Sequence, residues 1–148
     1  MKRLTWHVVI SAAIVLGASG SALADDHKNG CSVKTLRGTY VFTASGFNIV
    51  VGVAQPKAIV EVIDFNGDGT LSVPAATRSV NGVIARTLPG GIGTYAVADD
   101  CTGTIKFDGP SFDIFISPNG EAIWMIQTNP NTVFQGTATR SSRKRDRD

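Results

Sequence analysis

Apolar and polar side chains alternate with a period of two along most of the chain after residue 35, in short runs. Leu36, Gly38, Tyr40, Phe42 and Ala44 share one face of a first strand, with Thr39, Val41 and Thr43 on the other. From Lys57 to Phe65, Ile59, Glu61, Ile63 and Phe65 face one way and Ala58, Val60, Val62 and Asp64 the other. Gly93, Tyr95 and Val97 continue the pattern, followed by Gly103, Ile105 and Phe107, and then by Phe112, Ile114 and Ile116. Ala122, Trp124 and Ile126 alternate with Ile123 and Met125, and Phe134, Gly136 and Ala138 point inward from a last strand.

Turn residues separate these runs. Asn66-Gly67-Asp68-Gly69 and Asn81-Gly82 supply Asx-Gly pairs that tolerate positive φ, and the dipeptide Gly109-Pro110 and the run Ser117 to Gly120 mark further turns. Pro74 is expected to break or edge its strand. The stretch from Ser45 to Pro56 is continuously hydrophobic but interrupted by Gly46 and Gly52. It is expected to be a short strand or a flap folded onto the core, in preference to an exposed lid. The pattern predicts an all-β domain, a small antiparallel up-and-down β-barrel of about eight strands, with a β-sandwich as the alternative. Closure favours the barrel because it removes the exposed edges of a meander.

The two ends depart from this pattern. Met1 to Ala24 has a charged start at Lys2 and Arg3, an apolar run from Val8 to Ala18, and the small-x-small box Ala22-Leu23-Ala24, which reads as a cleaved export signal. The apolar run is too short to span a bilayer, so no transmembrane anchor is expected, and the product is placed in the periplasm or outside the cell. A single barrel domain is assigned to residues 25–139. Residues 140–148, Arg-Ser-Ser-Arg-Lys-Arg-Asp-Arg-Asp, hold no apolar side chain and are expected to be a disordered basic tail.

Charge and cysteine content narrow the function. The formal net charge of +2 includes Lys2 and Arg3, so the exported chain is balanced and its body mildly acidic, which argues against a nucleic-acid groove. Cys31 and Cys101 are the only cysteines, and in an oxidising compartment they are expected to form a disulfide. The one histidine after the leader is His27, so no Cys/His pair for metal binding or nucleophilic catalysis is expected within the domain.

Cys31, Leu36-Arg-Gly-Thr-Tyr40, Phe65-Asn-Gly-Asp-Gly-Thr70, Gly93-Thr-Tyr95, Asp100-Cys-Thr-Gly-Thr104 and Val133-Phe-Gln-Gly-Thr-Ala138 form a frame across most of the exported chain. In this frame the chain resembles small exported bacterial proteins of unknown function, and more distantly the allene oxide cyclase and dirigent type of eight-stranded barrel. The motifs are turn and packing residues. The resemblance therefore implies the fold, and no allene oxide cyclase catalytic residue has a counterpart here.

Three candidate chemistries remain. Asp64, Asn66 and Asp68 with Gly69 match the first half of a calcium loop, but position twelve is Ala75, preceded by Pro74, so a hairpin turn is the favoured reading. Glu61 shares a face with Ile59, Ile63 and Phe65; if that face is the interior, its carboxyl would titrate high and could orient a ligand or act as a base, and a solvated position is the favoured alternative. Tyr40, Phe42, Tyr95, Phe107 and Trp124 could line an apolar pocket or fill a core. The sequence thus predicts a non-enzymatic exported module that binds a small apolar ligand or a cell-envelope partner, using no cofactor. An isomerase or cyclase of the barrel class is the alternative. No residue pattern sets the oligomeric state.

Overall fold

The computed structural model describes residues 30–87 and 91–142; the export signal expected over 1–24, His27 and the residues after Ser142 lie outside them. A short 3-10 helix, η1 (Val33–Thr35), precedes nine strands: β1 (Arg37–Val50), β2 (Val53–Asn66), β3 (Thr70–Val80), β4 (Val83–Thr87), β5 (Gly91–Val97), β6 (Thr102–Phe107), β7 (Ser111–Ile116), β8 (Ala122–Gln127) and β9 (Thr132–Ser142). Every pairing is antiparallel, in the order β2-β1-β9-β8-β7-β6-β5-β3-β4, and a β2–β3 pairing closes the ring. Eight strands therefore form a closed up-and-down barrel, and β4 is an extra strand. The barrel, not the sandwich, is the architecture. Among the described residues no helix is long and apolar enough to cross a membrane.

The period-two pattern is what closes it. Along β1, Gly38, Tyr40, Phe42 and Ala44 are buried while Val41 and Thr43 are exposed, and β7 repeats the rule with Phe112, Ile114 and Ile116 inside. Gly46 and Gly136 let β1 and β9 approach. A Cβ on either would fall on a carbonyl oxygen of the facing strand, Val133 or Thr43 respectively.

β3 runs through Pro74, which neither ends nor edges it. Before Pro74 the strand pairs with β5 at Val73↔Gly91; after it, with β4 at Ala76↔Thr87. The β2–β3 register shifts at the same place, between Val62 and Asp64, so the residue without an N–H stands where the ladder is already interrupted. The stretch from Ser45 to Pro56 is likewise corrected. It is neither a short strand nor a folded-over flap: Ser45 to Asn48 still pair with β9, and the residues beyond form the projecting end of the long β1–β2 hairpin; Phe47, Val50, Val51 and Val53 are exposed.

One end of the barrel is plugged. The Cys31–Cys101 disulfide, with Cα atoms 4.9 Å apart, fastens η1 to the β5–β6 turn, and the Cys31 N–H donates to Asp99 O at 3.0 Å. Leu36 is driven fully inside. Below it Tyr40, Phe65 and Tyr95 stack edge-on, with ring centroids 5.1 and 5.0 Å apart. The Tyr95 hydroxyl accepts from the Gly67 N–H at 3.0 Å and lies 2.9 Å from both the Val33 and Leu36 carbonyl oxygens.

The Tyr40 hydroxyl donates to Gly120 O at 2.5 Å and accepts two hydrogen bonds from Arg140. The same guanidinium donates to Thr35 O at 2.9 Å and to Glu121 Oε1 at 3.0 Å, and its side chain is only 7% exposed. Arg140 therefore belongs to the barrel. The boundary drawn after residue 139 is corrected, since β9 continues to Ser142.

Candidate binding site at the open end

β2 carries the barrel from its plugged end to its open one. Phe65 and Ile63 are fully buried at the bottom, and the same alternation then presents Glu61, Ile59 and Lys57 to the interior, progressively nearer the mouth. Four aromatic rings from other strands complete the wall: Phe42 of β1, Phe107 of β6, Phe112 of β7 and Phe134 of β9. Phe112 stands edge-on to both Phe42 and Phe107, with centroids 6.1 Å apart in each pair. The small side chains of Ala76 and Gly91 leave room between them. The result is an open cavity of about 450 Å³, within the size range of small-molecule sites.

A few polar groups interrupt this apolar wall. Lys57 Nζ donates to Gln127 Oε1 at 3.1 Å and lies 4.0 Å from the centroid of the Phe134 ring. Gln127 is held in turn by Asn129, its Nε2 donating to Asn129 Oδ1 at 3.0 Å. Burial lowers the Lys57 pKa from its ordinary value, and the charge of Arg78 lowers it further, while Glu61 acts in the opposite sense. The Glu61 carboxyl receives no hydrogen bond among the described residues; burial pushes its pKa up to about 7, against the opposing pull of Lys57. A carboxyl in that state can donate a hydrogen bond or accept one near neutral pH.

The residues singled out in the sequence fall into three places. Glu61, Phe42 and Phe107 meet at the cavity. Tyr40 and Tyr95 lie at the plugged end, fully or nearly fully buried, with their hydroxyls committed to the plug. Trp124 is on the outer face, 52% exposed and paired across strands with Phe115, so it is remote from the interior that the sequence reading offered it. Its face follows from β8, where Ile123 and Met125 are the buried pair.

The calcium-loop residues are used by the fold itself, Asp64 across the β1–β2 ladder and Asn66 and Asp68 in the β2–β3 turn. Asp64 accepts from the Thr39 hydroxyl at 2.6 Å, Asn66 donates to the Thr70 hydroxyl at 2.9 Å, and Asp68 Oδ1 accepts from the backbone and side chain of Thr70 at 2.9 and 2.7 Å. Among the described residues no group of three or more His, Cys, Asp or Glu side chains is placed to hold a metal ion.

Lys57, Phe112, Gln127 and Phe134 are among the cavity residues that sequence reasoning did not assign to a site. Lys57 had a signal, because it continues the alternation of Phe65, Ile63, Glu61 and Ile59 by one further step. Gln127 had none, because its place depends on β8 ending beside the mouth. The chain matches no protein-family model, no curated protein and no solved structure.

Proposed function

We propose that the protein is an exported, non-enzymatic binding module that takes a small apolar ligand into the open end of its barrel. The observation that carries this reading is the Glu61 carboxyl on the wall of an aromatic-lined cavity of about 450 Å³, without a hydrogen-bond partner from the described residues. Partial desolvation disfavours the charged carboxyl, and a ligand polar group that bonds to it recovers part of that cost. The ligand therefore has an apolar body and at least one hydrogen-bonding group. Export is supported by the signal pattern of residues 1–24 and is compatible with the disulfide, and places the product in the periplasm or outside the cell. The fold-level resemblance to the allene oxide cyclase and dirigent barrels agrees with a ligand-holding interior.

The same carboxyl favours a second reading, an isomerase or cyclase, because a group titrating at about 7 suits proton transfer at neutral pH. Native mass spectrometry of the protein purified from its own export compartment, before and after denaturation, separates an occupied barrel from an empty one. Repeating it with Glu61→Gln and testing turnover of the released compound decides between the readings. A binder keeps the compound unchanged, with altered affinity at most, whereas an enzyme keeps binding and loses turnover.

A further inference from the structure

Two hairpins project past the cavity mouth, and both have exposed apolar residues at their ends. Val50, Val51 and Val53 surround the β1–β2 turn, with Val51 97% exposed, and Val83 and Ile84 follow the β3–β4 turn. The turns have the same backbone but different chemistry. Asn81 and Gly82 adopt φ of 49° and 83° with the residue pair that such turns favour. Val51 and Gly52 adopt 49° and 76°, which forces a β-branched side chain into the left-handed region. A Cβ on Gly52 would meet nothing within 4 Å, so this turn stands clear of the rest of the barrel. The strain is held for a side chain that the fold does not use.

Charge adds a second observation. Arg78 and Arg86 lie on the β3–β4 hairpin and Lys57 at the foot of the other, against Asp108 across the mouth and Glu61 deeper in the cavity. The plugged end carries Asp64, Asp68, Asp99, Asp100 and Glu121 against Lys34, Arg37 and Arg140, so it is the more acidic of the two. Protruding apolar tips with cations set behind them match a surface that is soft and apolar beneath a layer of negative charge.

We propose that the mouth end docks on an anionic membrane surface, with the tips at Val50, Val51, Val53, Val83 and Ile84 entering the headgroup boundary and Arg78 and Arg86 meeting lipid phosphates. This orientation turns the cavity mouth towards the bilayer, so an apolar ligand exchanges with lipid without crossing water. Docking does not require an occupied cavity, and its test is independent of the ligand.

The test is flotation of the exported chain, beginning at Asp25 and keeping the basic C-terminal residues, with vesicles of phosphatidylcholine and phosphatidylglycerol in equal parts, against phosphatidylcholine alone. The chain is expected to float with the anionic vesicles and to be released by high salt. Val51→Asn suits the left-handed turn and so keeps or raises the melting temperature, while vesicle affinity falls about tenfold through loss of one buried valine. Arg86→Gln weakens the preference for anionic lipid. Absence of flotation, or equal flotation with neutral vesicles, overturns the proposal. So does unchanged flotation of Val51→Asn, which would assign binding to the basic residues after Ser142. Self-association without vesicles that Val51→Asn abolishes would assign the tips to a second copy of the chain, and also overturns it.

Discussion

The guanidinium of Arg140 donates two hydrogen bonds to the hydroxyl of Tyr40, at 2.7 and 3.0 Å, and thereby ties the last strand to the first. Removing it leaves the Tyr40 hydroxyl and the Thr35 carbonyl without this donor and takes away the cationic partner of Glu121. Arg140→Ala is expected to lower stability by roughly 2–4 kcal/mol. Truncation after Ser142, which removes only polar residues, should change it by less than about 0.5 kcal/mol. Urea unfolding of both variants at unchanged slope checks the contrast.

That contrast also shows what the sequence could and could not convey. The alternation of Leu36 to Ala44 and of Lys57 to Phe65 made the strands and their inner faces legible, because one register places every large side chain correctly. Arg140 was hidden within a run of basic residues. Its neighbours there are polar, and only the β1–β9 pairing brings it beside Tyr40 and Glu121. Trp124 misled for a related reason. Both faces of β8 are apolar, so period two alone does not say which is inside.

Glu61 makes stability depend on pH in an unusual direction. Its pKa rises from 4.5 to about 7 on folding, so between those values the folded chain binds more protons than the unfolded one. The Glu61 contribution is therefore fully favourable below about 4.5 and is lost as pH rises through about 7, with a ceiling of about 3 kcal/mol. Glu61→Gln should remove this decline and be more stable than the wild type above pH 7. Paired urea titrations from pH 4 to 8 check it, and parallel curves would contradict the burial of the carboxyl.

The disulfide closes a loop of sequence separation 70 and secures the plug. Replacing both Cys31 and Cys101 with Ser is expected to cost about 4 kcal/mol in the chain-entropy account. Thermal melting of the double variant, beside reduced and oxidised wild type, measures it. The reduced wild type should melt close to the variant.

Close approach of β1 and β9 gives a further expectation. A methyl group on Gly136 would fall on the Thr43 carbonyl and the Ala44 side chain, so Gly136→Ala should destabilise by about 1–3 kcal/mol. Gly109→Ala is the control for backbone strain alone. Its φ is 108°, yet a Cβ there meets nothing within 4 Å. Comparing the melting temperatures of the two separates crowding from conformation.

The central claim is that the open end of the barrel holds an apolar ligand, and fluorescence titration with a neutral phenylnaphthylamine probe tests it most directly. Two variants locate the site. Ala76→Trp fills the cavity, whereas Trp124→Ser alters only the exposed outer face. The expected result is saturable, single-site enhancement in the wild type that survives Trp124→Ser and disappears in folded Ala76→Trp. Absence of saturable binding, or binding lost with Trp124→Ser and kept with Ala76→Trp, would contradict the account.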